Sequence, residues 1–254
     1  MFFKIYRWIR DGILQSSFLI GIAMSLGIYM LGALPWWNSE SVLCIFGAST
    51  EFSSFTFLFP IVAAIPYALR YRINRKSHFD DMILQRCSIK YYMIDMIAKT
   101  AISGFFVMAI GTFVFAWFIS FALPYTSLFN DVDSGIIWPY MESIASKENW
   151  ILYFGVYSLL SGISGIFWSL LSLCISAFID NIYAIFIIPI LFLYVMDYTL
   201  VRHHFYALST LMFGLFYFES ANEMILIALG TFGIMSITVS ILFYMKGKKR
   251  YEVS

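Results

Sequence analysis

The chain has 254 residues, of which 61% are hydrophobic and 12% are charged, and its mean hydropathy is +0.82. So little charge cannot cover the surface of a soluble globule of this length, which excludes the soluble fold classes. The formal net charge of +1 gives no electrostatic reason to expect nucleic acid as a partner. The composition therefore predicts an integral membrane protein, with a single transmembrane domain over residues 1–254.

Residues 1–12 predict a short amphipathic helix that lies in the membrane interface. Phe2, Ile5 and Ile9 recur at helical spacing on one face, and Lys4 and Arg7 lie on the other. The alternative is that these residues are only the basic flank of the first membrane span. The apolar run that follows has full membrane length and no convincing cleavage site, so we expect it to be retained.

Six apolar runs predict membrane-spanning helices and hence an all-α polytopic fold. A bilayer core of roughly 30 Å requires about 20 apolar residues in a helix. The predicted spans are residues 13–34, 52–69, 101–123, 150–178, 182–200 and 224–245. The fifth run is the weakest, because Asp197 interrupts it and Pro189 lies inside it.

The basic residues concentrate on one side of this predicted topology. Fourteen of the 16 Lys and Arg residues lie before the first span, after the last span or in the loop 70–99; Lys147 and Arg202 are the exceptions. Cytoplasmic segments of membrane proteins carry an excess of Lys and Arg. We therefore predict that both termini and the loop 70–99 lie in the cytoplasm.

The loop 70–99 predicts short helices that can dock a partner protein. Ser77 precedes Asp80 at the spacing of a capping box, which predicts a helix from about Phe79, and a second start at Ser88 leads into the third span. Asp95 and Lys99 form an i,i+4 pair on that second helix.

An apolar spot ringed by charge in this loop suits the groove of a partner protein, and it consists of Ile83, Leu84 and Cys87. The alternative is a basic anchor for anionic lipid headgroups. The candidate docking residues are Phe79, Asp80, Asp81, Met82, Ile83, Leu84, Gln85, Arg86, Cys87 and Ser88.

The predicted outer loop 124–149 carries several acids. Asp131 and Asp133 lie in a run, DVDSG, that faintly resembles a calcium loop but lacks the remaining ligands and the terminal glutamate. We therefore interpret residues 124–149 as a solvated extracellular loop without a metal site.

The fourth span contains a seam of small residues at alternating steps of three and four. Such a seam lets helix backbones approach closely in lipid. Its members are Gly155, Ser158, Gly162, Gly165, Ser169, Ser172 and Ser176. The seam predicts tight packing, and intrachain packing is favoured over contact with a second subunit.

The second outer segment, residues 201–223, predicts a re-entrant helical pair between the fifth and sixth spans. The run 203–218 is apolar but short, and the alternative is one further crossing over residues 197–218. Acids near membrane spans are candidates for a substrate path because burying their charge is costly. Asp197, Glu219 and Glu223 are these candidates, although hydrogen bonding at a helix boundary is the ordinary role; Asp180 in the inner turn carries the same two readings.

Motifs for chemistry are missing from the sequence. Cys44, Cys87 and Cys174 are scattered and predict neither a disulfide framework nor a zinc site. The sequence contains no Gly-rich phosphate loop, no H-E-x-x-H and no G-x-S-x-G. If ATP drives this protein, another chain must bind it.

A run of residues from the second span through the loop 70–99 resembles the six-span ABC-2 type permeases of bacterial ABC transporters. The resemblance is strongest to the compact permeases of bacteriocin, lantibiotic and small-peptide export or immunity systems. It rests on Phe59, Pro60, Pro66, Tyr67, Ala68, Lys76, Ser77, Ile83, Leu84, Arg86, Ser88, Lys90 and Tyr91. His78 stands where glycine is common, Asn74 where an acid is common and Asp95 where a lysine is common.

The resemblance implies the transmembrane subunit of an exporter in the bacterial cell membrane. Such a subunit dimerises with itself or with a sister permease, and separate ATPase subunits bind ATP and Mg²⁺ on the inner face. Residues 79–88 would then form the coupling helix that docks the ATPase. The implied function is export of a hydrophobic or amphipathic substrate, with a peptide favoured.

Two other function classes remain open. A membrane-bound sensor or immunity protein would bind such a peptide without transporting it. An intramembrane enzyme is disfavoured, because the sequence offers no catalytic constellation.

Overall fold

The computed structural model describes residues 16–37, 42–52, 54–122, 150–203, 208–213 and 221–253, and every regular element in these ranges is helical. The α-helices are α1 Ser16–Ala33, α2 Val42–Gly47, α3 Phe59–Ala64, α4 Arg70–Lys76, α5 Phe79–Leu84, α6 Ile89–Ala122, α7 Trp150–Phe178, α8 Ile182–Arg202, α9 Leu208–Phe213 and α10 Ala221–Val253.

Within the described residues, five helices are long and apolar enough to cross a membrane: α1, α6, α7, α8 and α10. They coincide with the first, third, fourth, fifth and sixth predicted spans. The helical membrane character predicted from composition is therefore confirmed. The predicted helix start at Ser88 leads into the third span without a break, so α6 runs from Ile89 to Ala122.

The second predicted span, residues 52–69, is divided into short pieces. A π-helical turn Ala48–Phe52 and a 3₁₀ segment Ser54–Leu58 precede α3, and turns over residues 65–69 lead into α4. Pro60 lies at the start of α3, and Pro66 follows its end. Proline lacks the N–H donor that a residue inside a helix contributes, and its ring crowds the preceding turn, which explains why one continuous helix does not form. Six crossings therefore remain a prediction.

Helix α7 forms the centre of the bundle. In its most apolar window 78% of the residues are buried, against 17% for α8 and 22% for α10. Helix α7 contacts α3, α6, α8, α9 and α10. Large apolar side chains on α8 and α10, such as Leu191 and Ile234, are exposed. In a membrane these faces meet lipid or another apolar surface.

Glycine allows α6 and α7 to approach until their backbones touch. A Cβ atom added at Gly165 would lie 2.5 Å from the Gly104 carbonyl oxygen, and one added at Gly162 would lie 2.7 Å from the Phe105 ring. Real Cβ atoms do not come this close to their neighbours, so neither position tolerates a side chain without displacing α6. The seam predicted from the sequence therefore packs within the chain.

Hydroxyl groups join the same helices. Ser169 Oγ donates to the Thr100 carbonyl oxygen at 3.1 Å, and Thr112 Oγ1 donates to Ser161 Oγ at 2.9 Å. The Tyr29 hydroxyl of α1 lies 2.7 Å from Thr112 Oγ1. These bonds satisfy polar groups that have no access to water and hold α1, α6 and α7 in one register.

The seam does not face one neighbour along its whole length. Ser158, Ser172 and Ser176 are buried, but a Cβ added at Gly155 would meet nothing within 4 Å. Gly155 lies near the start of α7, where an added methyl group would enter open space.

Several predicted features lie outside the described residues or only partly within them. Residues 1–12, residues 124–149 and Glu219 are outside. Of the predicted re-entrant segment 201–223, the structure describes residues 201–203, 208–213 and 221–223, and Leu208, Leu211 and Met212 of α9 are buried. The re-entrant path remains a prediction.

The contrast between Gly165 and Gly155 gives a matched stability test. Gly165→Ala should lower the free energy of unfolding by about 1–3 kcal/mol, because the added methyl group meets backbone that cannot move aside. Gly155→Ala should be neutral or stabilising by up to ~1 kcal/mol, because the methyl group enters open space and alanine favours helix. Thermal unfolding of the purified variants in the same detergent measures both. Equal effects at the two positions would contradict the packing of α6 on α7.

Candidate functional site

The docking segment, defined as residues 79–88, comprises α5 and the turn that leads into α6. The two helix starts predicted from the sequence are confirmed: α5 begins at Phe79 and α6 at Ile89, directly after Ser88. The Ser88 Oγ accepts the N–H of Tyr91 at 3.3 Å, which is the bond expected of an N-cap serine.

The predicted cap of α5 by Ser77 is wrong. The Ser77 hydroxyl instead donates to the carbonyl oxygens of Ile73 at 2.9 Å and Asn74 at 3.1 Å, so it closes the end of α4. His78 occupies the N-cap position with a left-handed φ of 54° and makes no side-chain cap bond. The left-handed residue turns the chain sharply between α4 and α5.

Helix α5 has an outer apolar face that differs from the predicted one. Phe79 and Met82 are 44% and 52% exposed and lie one turn apart. Ile83 and Leu84, which we expected to be exposed, are half-buried and pack against the core, as does Cys87. The expectation was wrong because the core does extend under α5. The exposed apolar pair is therefore Phe79 and Met82.

A carboxylate fixes the inner face of α5 to the last long helix. Asp80 is 3% exposed, and its Oδ2 accepts a hydrogen bond from the Tyr251 hydroxyl of α10 at 2.5 Å. The Tyr92 ring of α6 packs edge-on against Tyr251, with 6.4 Å between the centroids. The Asn74 amide of α4 donates to the Tyr92 hydroxyl at 3.4 Å. One cluster thus joins α4, α5, α6 and α10.

Two arginines of α4 attach this helix to the turn between α7 and α8. Arg72 Nε donates to the Asp180 carbonyl oxygen at 2.6 Å, and Arg75 forms an ion pair with the Asp180 carboxylate. Arg75 also donates to the Ser176 carbonyl oxygen at 3.4 Å. Burial, with the nearby charge of Arg250, lowers the pKa of Arg75. Asp180, a weak candidate for the substrate path, therefore holds α4 in place.

The charged side chains around the docking segment form two groups, one that is buried and paired within the chain and one that is exposed. Asp95 and Lys99 are largely buried and pair at 2.9 Å within α6, as the sequence predicted. Lys76 and Arg86 are exposed, whereas exposed Asp81 lies 3.2 Å from His78 Nδ1. Of the exposed Lys, Arg, Asp and Glu residues within four positions of Phe79 or Met82 in the sequence, two are basic and one is acidic. This excess of positive charge favours a partner surface that carries acids.

Cys87 is not an activated thiol. Burial raises the pKa of the Cys87 thiol, and the negative charge of Asp95 adds to the increase. A raised pKa keeps the group as the neutral thiol, which is a poor nucleophile. Cys87 is best explained as a packing residue of the docking segment.

The candidate acids of the substrate path are not brought together in the described residues. Asp197 Oδ1 accepts the N–H groups of Leu208 at 2.7 Å and Ser209 at 3.2 Å, so it caps the start of α9. Glu223 lies in the first turn of α10, where the helix dipole stabilises a negative charge. Both acids thus have a structural explanation.

A groove of about 640 Å³ nevertheless opens beside Asp197. Phe57, Tyr194 and Tyr198 supply aromatic side chains to it, and Arg202 supplies a cation. Aromatic surface next to two opposite charges suits an amphipathic molecule.

The described residues contain no group of three His, Cys, Asp or Glu side chains that could hold a metal ion. Comparison of the chain with protein-family models, curated proteins and solved structures finds no match. Its function must be inferred from its own residues.

The left-handed His78 gives a second testable prediction. His78→Gly should keep or raise the thermal unfolding temperature, because glycine adopts this φ without the ~1–2 kcal/mol that a side chain costs there. His78→Val should lower it, because a β-branched residue is the least suited to positive φ. The exposed His78 and Asp81 pair contributes little to either comparison. Destabilisation by glycine as large as that by valine would contradict the left-handed turn.

Proposed function

We propose that the chain is the membrane-spanning permease subunit of an ATP-driven ABC exporter of the bacterial cell membrane. In this proposal a separate subunit binds ATP and Mg²⁺, and this chain carries the substrate path. The substrate is hydrophobic or amphipathic, and a peptide is favoured. The functional unit is a homodimer or a heterodimer with a sister permease.

The observation that carries the proposal is the two-sided character of α5. Its outer face presents Phe79 and Met82 among exposed basic residues, and its inner face is fixed by Asp80, Ile83 and Leu84. An exposed Phe and Met on one turn of a short helix have no described partner within the chain. A groove on an ATPase subunit, apolar with an acidic rim, would cover them.

The contacts beneath α5 support transmission of movement from such a partner into the bundle. Arg72 and Arg75 connect α4 to the turn before α8, and Asp80 connects α5 to α10. A force on the docking segment therefore reaches α8 and α10, the two long helices that are least buried in the bundle. ATP binding favours one arrangement of the partner subunits and, through these contacts, would favour one arrangement of the helices.

The groove beside Asp197 supports the class of substrate. It lies at the end of α8 opposite to Asp180, and hence at the opposite end of that helix from the anchor of α4. Its aromatic side chains and its two charges suit a molecule with both apolar and charged parts.

A double substitution tests the docking surface. Phe79→Ala with Met82→Ala should weaken docking by about 2 kcal/mol or more, since central apolar anchors carry most of the binding energy of an interface. The complex purified from native membranes should then lose bound ATPase subunits and ATP hydrolysis. Thermal stability of the variant chain alone should change little, because both side chains are exposed.

Two further variants serve as controls. Ile73→Ala removes an apolar side chain of α4 that is 49% exposed and should leave ATP hydrolysis unchanged. Ile83→Ala with Leu84→Ala should lower the stability of the chain itself, because these side chains pack on the core. Wild-type ATP hydrolysis in the Phe79 and Met82 variant would refute the docking surface. A chain that binds peptide but never retains an ATPase would instead be the sensor or immunity protein.

Single cysteines test the six-span topology that the proposal requires. In a variant without native cysteines, Lys4→Cys and Lys249→Cys should both resist a membrane-impermeant maleimide in intact cells and react after permeabilisation. Lys147→Cys, in the predicted outer loop, should react in intact cells. Labelling of either Lys4→Cys or Lys249→Cys alone in intact cells would refute six crossings, because it requires an odd number. That number would be five if residues 52–69 do not cross, or seven if residues 197–218 form a further crossing.

A further inference from the structure

A second groove, of about 550 Å³, lies on the outer surface of the bundle between α6 and α10. Ile94 and Ile97 of α6 and Ile237 and Ile241 of α10 supply half of its lining side chains. Its volume falls within the range of pockets that hold small ligands, about 300–1,000 Å³. It involves none of the residues assigned above to docking or to the substrate path.

Small residues of α10 create the recess. Ser236 and Ser240 line the groove one turn apart, where larger side chains would fill it. The Ser240 hydroxyl donates to the Ser236 carbonyl oxygen at 2.8 Å, so this polar group is satisfied within the helix. The groove therefore offers a bound molecule an essentially apolar lining.

One end of the groove carries a cation. Helix α6 begins and α10 ends beside the docking segment, so Lys90 and Tyr244 lie at the end of the groove nearest the basic residues. Lys90 is exposed and makes no ion pair with any other residue that the structure describes. The nearest acid on the same helix, Asp95, is engaged by Lys99. The Lys90 ammonium is thus available to an anion.

The length of the groove and the position of its charge indicate which kind of ligand it fits. Ile97 lies seven positions after Lys90, which is about 10 Å along a helix at 1.5 Å per residue. The groove is therefore an apolar channel about 10 Å long with a positive charge at one end only. This matches a ligand with one long apolar chain and one anionic head.

We propose that this groove binds an anionic phospholipid of the membrane leaflet on the docking-segment side. One acyl chain lies along the isoleucines, and the phosphate contacts Lys90. A lysine near the end of a membrane helix reaches the headgroup level naturally, and basic pockets between helices are suited to anionic headgroups. The site does not depend on the partner ATPase or on transport.

Lipid binding to the purified chain tests the proposal. Phosphatidylglycerol and phosphatidylcholine with identical acyl chains are titrated separately, and native mass spectrometry counts the bound molecules. The chain should bind phosphatidylglycerol about fivefold more tightly, the equivalent of the roughly 1 kcal/mol that one lysine contributes near an anionic surface. Inorganic phosphate at the same concentration should not compete, because it lacks the acyl chain.

Matched variants locate the site. Lys90→Gln should abolish the preference for phosphatidylglycerol, and Lys90→Arg should keep it. Ser240→Phe should reduce binding of both lipids, because the ring fills the recess. Lys249→Gln, another exposed cation at this end of the bundle, and Thr238→Phe, on the exposed part of α10 outside the groove, should leave binding unchanged.

The proposal is overturned by equal binding of the two lipids, or by a preference that survives Lys90→Gln. It is also overturned if Thr238→Phe reduces binding as much as Ser240→Phe does. Thermal unfolding of each variant in phosphatidylcholine identifies any that is misfolded. If Lys90→Gln misfolds, Lys90→Arg provides the decisive comparison. Loss of the preference for phosphatidylglycerol in a folded Lys90→Arg protein would refute a site that depends on the charge of residue 90.

Discussion

The close contact between α6 and α7 at Gly104 and Gly165 is the constraint on which the rest of the fold depends. Each glycine lies where the other helix's backbone would meet a Cβ atom, so the two helices are as near to each other as their main chains allow. Because the bilayer offers little hydrophobic driving force between helices, such proximity and the hydroxyl bonds of Thr112 and Ser169 supply the cohesion. The less buried α8 and α10 are arranged around this pair.

The sequence predicted the features that repeat and missed those that depend on distant contacts. Apolar runs located five long helices, and the steps of three and four in α7 identified its packing face. The division of residues 52–69 follows from Pro60 and Pro66, which were visible but do not by themselves decide between a kink and a break. The orientation of α5 was missed because six residues carry too little periodicity. Tyr251, which fixes Asp80, lies 171 residues away in the sequence.

The basic residues near the docking segment have different roles, which cannot be distinguished by counting charges. Arg72 and Arg75 are used inside the chain on Asp180, and Lys99 is used on Asp95. Lys76 and Arg86 face outward beside Phe79 and Met82. A rule that counts positive charges gives the same weight to all of them. The separate partners of Arg72, Arg75 and Lys99 account for three of the cations in this short stretch.

The hydrogen bond between Asp80 and Tyr251 also has a consequence for biosynthesis. Helices α6, α7, α8 and α9 and most of α10 lie between these two residues in the chain, so Asp80 can meet its donor only after all of them have been synthesised. During synthesis α5 therefore remains loosely held, and its outer face acquires a fixed position only when α10 has been inserted. A protein that recognises this ordered surface would assemble with completed chains and pass over unfinished ones.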